Sequence, residues 1–140
     1  MKKVRLLLVI LSIIFSPAYT NASTKKADVD LAKLNAMMAY AGVFNILSAP
    51  DDYIGKTIKI KGQYDFYHDP DTGNNYFGVN IMDASACCTA GWDFVLNKNY
   101  QYPKDYPKLG AVITIIGKFE TYNEGDDLFC HLADAEIVKN

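Results

Sequence analysis

The sequence predicts a mainly β chain: a closed, five-stranded barrel preceded by an N-terminal α-helix. Three observations predict it. Apolar residues recur every three or four positions before Pro50 and every two positions after Gly55. Turn-forming residues separate the alternating runs, most densely at Asp69-Pro70-Asp71-Thr72-Gly73-Asn74-Asn75. The stretch from Gly55 through Ile58, Ile60, Gly62 and Tyr64 recurs 55 residues later as Gly110, Ile113, Ile115, Gly117 and Phe119. Each copy reads as a long strand with a glycine in its middle, which marks a bend or bulge. Small barrels need such bends so that one strand can pair with two neighbours at different angles.

The elements follow in chain order. Residues 1–22 have a cationic start (Lys2, Lys3, Arg5), an apolar run from Leu6 to Phe15, then Pro17 and small residues. This is the layout of a cleaved signal peptide, with Ala18 or Ala22 as the cleavage point. The apolar run is shorter than the roughly 20 residues of a membrane span. An uncleaved anchor is the alternative. Ser23 to Asp28 reads as a polar lead. Asp30 to Ser48 reads as a helix capped by Asp28 or Asp30 and stopped by Pro50. Its expected core stripe is Leu31, Leu34, Met38, Ala41, Phe44 and Leu47, with the Met37–Met38 pair filling the core. Strands are expected over Thr57–Tyr67, from Tyr76 onward, and over Trp92–Leu96, Ala111–Tyr122 and Leu128–Val138. In the first, Ile58, Ile60, Tyr64 and Phe66 share the buried face.

Five strands in the order long, short, short, long, medium, joined this way, have the chain order of an OB-fold barrel. An SH3-like barrel or an open α+β sheet is the alternative. Strands three and five are neighbours in the OB arrangement.

The whole chain carries a formal charge of −2. Without Lys2, Lys3 and Arg5, 11 basic residues face 16 acidic ones, a net of about −5. An acidic exported domain argues against a nucleic-acid backbone as partner, and none is expected.

The sharpest chemical feature is the cysteine set: Cys87 and Cys88 adjacent, and Cys130 beside His131. If strands three and five are neighbours, Cys130 can approach the pair. Strand parity points Cys87 and Cys130 inward and His131 outward. Three readings stay open. One is a disulfide from Cys130 to Cys87 or Cys88. Another is a transition-metal site, zinc above all, through the three thiolates with His131, His68 or a carboxylate. The third is thiols with no special role. Asp69 to Asn75 only faintly follows a calcium loop and reads as a hairpin turn. Tyr67, Tyr76, Trp92 and Tyr102 are candidates for an aromatic ligand surface that would hold a sugar, peptide or protein. The alternative for Tyr100, Tyr102 and Tyr106 is a plug at one barrel end. No acid/base or nucleophile constellation is present, so an enzyme is not expected.

Tyr53-Ile-Gly-Lys-Thr-Ile-Lys-Ile-Lys-Gly62, Asp83-Ala-Ser-Ala-Cys87-Cys88, Gly91-Trp-Asp-Phe-Val-Leu96 and Phe129-Cys130-His131-Leu-Ala-Asp-Ala135 together resemble a group of uncharacterised exported bacterial OB-like domains. More distantly, they are similar to the C-terminal domain of YcgQ-type membrane proteins linked to zinc. The resemblance implies that Cys87, Cys88 and Cys130 serve a metal rather than a disulfide. The leading expectation is therefore an exported, periplasmic or extracellular module that binds zinc through Cys87, Cys88, Cys130 and His131. A ligand-binding or adaptor OB domain with structural cysteines is the alternative.

Overall fold

A computed structural model describes residues 25–139. The signal-peptide reading of residues 1–22 lies outside the described residues. Among them, no helix is long and apolar enough to cross a membrane.

The strands are β1 (Val29–Asp30), β2 (Thr57–His68), β3 (Asn75–Met82), β4 (Thr89–Leu96), β5 (Val112–Glu124) and β6 (Asp127–Ile137). They form one six-stranded sheet in the order β1-β2-β3-β4-β6-β5, and β2 also pairs with β5. A ring of backbone hydrogen bonds therefore runs through five strands. β4 and β6, the expected third and fifth strands, are neighbours and run parallel.

Both mid-strand glycines sit where the expected bends fall. β2 pairs with β5 over Thr57–Gln63 and with β3 over Gln63–His68. Gly62 stands at this change of partner, where a Cβ would lie 2.5 Å from the Asn80 carbonyl oxygen. Gly117 lies in the register shift between Ile116 and Lys118, where β5 turns toward β6.

The ring encloses Ile58, Ile60, Tyr64, Val79, Ile81, Trp92, Phe94, Ile115, Phe119 and Leu132, all buried. Tyr100, Tyr102 and Tyr106 close one end. Tyr106 meets Phe77 at 4.4 Å, Tyr102 stacks on Phe66 at 5.8 Å, and the Tyr100 hydroxyl accepts from the Ile137 amide at 3.2 Å.

The N-terminal segment differs from expectation. Leu31–Lys33 is a 3-10 turn, the chain breaks at Leu34, and α1 runs over Ala36–Ser48. The cap is Asn35, whose Oδ1 accepts from the Met38 amide at 3.0 Å. Asp28 instead fastens the chain to β2, its carboxylate accepting from the Thr57 amide at 2.8 Å. Lys25 bridges to Asp134 at 2.8 Å and to Glu136 at 3.4 Å, so the lead is anchored to β6.

The core face of α1 is also different. Ala39, Val43 and Ile46 are buried with Leu31, whereas Leu34, Met38, Phe44 and Leu47 are 40–59% exposed and Met37 is 63% exposed. α1 has no charged residue, so no polar face selects its orientation. Small size decides instead. A Cβ on Gly42 would stand 2.8 Å from Leu31 Cδ2, so Leu31 seats against this helix only where the helix is bare. Ile46→Ala is accordingly expected to cost about 2–5 kcal/mol, and Met38→Ser less than about 0.5 kcal/mol. Urea denaturation of both variants checks this; a larger cost for Met38→Ser would contradict the assigned face.

Candidate metal-binding turn and outer face

β3 ends at Met82, and the chain turns through Asp83–Cys88 into β4. The parity that placed Cys87 inward fails here because the turn interrupts the alternation, and both Cys87 and Cys88 are exposed. Asp83 organises the turn. Its amide donates to the Cys88 carbonyl at 2.9 Å, and its carbonyl accepts from the Ala86 amide at 3.1 Å. One carboxylate oxygen accepts from the Cys87 amide at 3.0 Å, the other from the Ser85 hydroxyl at 2.9 Å. Ala86 is held at φ 56°, a left-handed conformation that costs a non-glycine residue about 1–2 kcal/mol.

This backbone brings three ligand groups together, one carboxylate and two thiols. The sulfurs of Cys87 and Cys88 are 3.3 Å apart, and Cys87 Sγ is 3.4 Å from Asp83 Oδ2. The three ligand atoms of Asp83, Cys87 and Cys88 all lie within 4.8 Å of one another. In a tetrahedral zinc site with Zn–S bonds of about 2.3 Å, two sulfurs stand about 3.8 Å apart. A small side-chain rotation reaches that spacing. The hydrogen bond from Ser85, with those from Cys87, holds the Asp83 carboxyl below the usual range. The hydrogen bond with Cys87, then desolvation and the Asp83 charge, push the Cys88 thiol up.

Cys130 and His131 are not part of this group. Cys130 lies on β6, half-buried against the core, and burial pushes its thiol up. It points inward and His131 outward, as parity predicts. His131 stacks on Tyr122 at 4.8 Å and stands 4.0 Å from Glu120. No disulfide joins the three cysteines, which are all free. His68 bonds Asn75 across the far hairpin at 2.8 Å. In that hairpin, Asp69 accepts from the Asp71 amide at 2.9 Å and the Thr72 hydroxyl at 2.7 Å, which makes it a turn residue.

The four aromatic candidates do not form one surface. Tyr67 and Tyr76 stack at 6.2 Å on the outer face, Tyr102 belongs to the end plug, and Trp92 is 3% exposed in the core. Trp92 packs edge-on against Phe119 at 5.6 Å, and its indole N–H has no acceptor.

The outer face carries residues that sequence reasoning missed. A cavity of about 400 Å³ is lined by Tyr76, Asp93, Tyr122, Glu124 and His131, with asparagines around them. Tyr122 also stacks with Phe129 at 5.6 Å, and its hydroxyl donates to Asp93 at 3.4 Å. Desolvation, then the Asp93 and Glu124 charges, push the Tyr122 phenol up to about 12. The Tyr76 hydroxyl donates to Glu124. Burial, with repulsion from Glu124, raises the Asp93 carboxyl despite opposing help from Tyr122 and His131.

A carboxylate raised in the folded state destabilises it when ionised. That loss is absent below the ordinary carboxylate pKa and grows as pH rises through the folded value. Asp93→Asn is thus expected to raise the melting temperature at pH 7, with the gain vanishing at pH 3. An unchanged or lower melting temperature at pH 7 would contradict this.

No protein-family model and no curated protein matches the chain. Among solved structures, the chain is similar to a "putative nucleic acid-binding lipoprotein" from Klebsiella pneumoniae. The two share 23% identity over 76% of this chain and 81% of that one, with a TM-score of 0.42. The expectation that no nucleic acid would be a partner is corrected here: the description of this neighbour runs against it. The exclusion rested on net charge, a whole-chain sum that does not report local patches.

Proposed function

We propose that the protein is a small exported module, working in the periplasm or outside the cell, that binds zinc on the turn between β3 and β4. The five-stranded ring is read as an OB-like barrel. The observation that carries the proposal is the convergence of Asp83, Cys87 and Cys88 within 4.8 Å.

The donor set suits the metal. Two thiolates and one carboxylate are a borderline-soft combination that zinc accepts, and the hard carboxylate disfavours copper(I). Three protein ligands at an exposed turn leave a fourth position for water or a donor from elsewhere. Structural zinc sites are closed by four protein ligands, so this site fits reversible uptake better than a structural role. Bound zinc would supply a positive charge that draws the proton from each thiol. The chain's own part is to hold Asp83 ionised and to aim both sulfurs to one side.

Competition titration of the reduced protein with a zinc indicator tests it. One saturable zinc site is expected, lost in Cys87→Ser/Cys88→Ser and weakened in Asp83→Asn. Full zinc binding by the double serine variant would overturn the proposal.

A further inference from the structure

We propose that the cavity on the outer face of β3–β6 binds a small organic cation carrying an alkylammonium group, seated among Tyr76, Tyr122 and His131 and held by Asp93 and Glu124. The site is separate from the metal-binding turn, none of whose residues lines this cavity.

Three observations carry it. The first is shape. The cavity, about 400 Å³, falls in the range of small-molecule sites and is formed by residues on four strands and the β2–β3 loop. The second is charge. Asp93 and Glu124 both line it, and neither lysine nor arginine does. Among the described residues neither carboxylate forms an ion pair with a lysine or arginine: Asp93 accepts a long hydrogen bond from Tyr122, and Glu124 accepts from Tyr76. Two like charges share a partly desolvated space with the His131 imidazole beside them, and a cation entering that space relieves their repulsion. The third is the aromatic wall. Tyr122 stacks with both Phe129 and His131, and Tyr76 stacks with Tyr67. Aromatic faces attract a cation electrostatically, the more so where water is thinned. Asn74 and Asn123 also line the cavity and carry amide oxygens that can accept from ammonium N–H groups.

A flat anion or a neutral ligand would leave the two carboxylates uncompensated. An alkylammonium group satisfies both, and its carbon chain covers the rings. Charge-assisted hydrogen bonds of this kind contribute enough that losing one weakens binding about 10- to 100-fold.

Calorimetric titration at low ionic strength tests the proposal, with 1,5-diaminopentane as probe and 1,5-pentanediol as its neutral counterpart. Saturable binding of the diamine is expected, with no binding of the diol. Asp93→Asn and Glu124→Gln, which keep side-chain shape, should each weaken diamine binding at least about tenfold. The proposal is overturned if the diamine fails to saturate by about 10 mM, if the diol binds as well as the diamine, or if either folded variant binds the diamine like the parent protein. The contrast between diamine and diol uses the parent protein and decides the matter even if a variant does not fold.

Discussion

Gly91→Ala is expected to destabilise the protein by about 4 kcal/mol or more, an exceptional cost for one methyl group. Gly91 pairs with Asn80 across the β3–β4 ladder. A Cβ there would stand 2.0 Å from the Val79 carbonyl oxygen, 2.5 Å from the Asn80 side-chain oxygen and 2.9 Å from Asn80 Cα. Two of these atoms are backbone in the middle of a sheet, so no rotamer change relieves the overlap. Relief requires β3 and β4 to part. Val79 and Trp92 are both buried at that point, and parting the strands unpacks them. Urea denaturation, or loss of soluble protein, reports the effect. A Gly91→Ala protein within about 1 kcal/mol of the parent would show that the strand approach is wrongly placed.

The second large effect concerns the metal. Replacing Cys87 and Cys88 with serine is expected to lower zinc affinity at least about 1,000-fold, since both soft donors are lost. The parent protein should show a steep pH dependence. The Cys88 thiol is pushed above its ordinary value, so it is protonated at neutral pH without metal. Zinc displaces a proton from each thiol that it binds, so affinity should fall by up to about 100-fold for each pH unit lost. Asp83, held low by Ser85 and the turn amides, stays ionised through this window and adds no slope. Zinc affinity measured at pH 6, 7 and 8 checks the slope. A flat profile would mean that the sulfurs are not the ligands.

Much of the fold was legible because its signals are local. Alternation identified the five strands of the ring, and the paired glycines at Gly62 and Gly117 identified the two strands that exchange partners. Chain order then implied that Trp92–Leu96 and Leu128–Val138 are neighbours, as β4 and β6 are. The helix face was not legible. A segment that is apolar on every side has no preferred side in the sequence, and Gly42 with Leu31 settled it through contact.

The candidate sites were legible only in part. Adjacency placed Cys87 and Cys88 together, but the third group near them is Asp83 rather than Cys130. The signal was present as an aspartate four residues before the first cysteine, the spacing of a side chain that caps its own turn. Counting parity through that turn hid it. The outer cavity could not have been found by local reading. Tyr76, Asp93, Tyr122 and His131 come together only through the registers of β3 with β4, β4 with β6 and β6 with β5. Net acidity was visible in the composition, but the two carboxylates facing one aromatic wall were not.

Zinc-edge X-ray absorption on the purified, zinc-loaded protein reads the proposed coordination by Asp83, Cys87 and Cys88 without an intermediary. One zinc per chain is expected, with two sulfur neighbours at about 2.3 Å and oxygen completing the shell at about 2.0–2.2 Å. No stoichiometric zinc, or a zinc shell without sulfur, would contradict it.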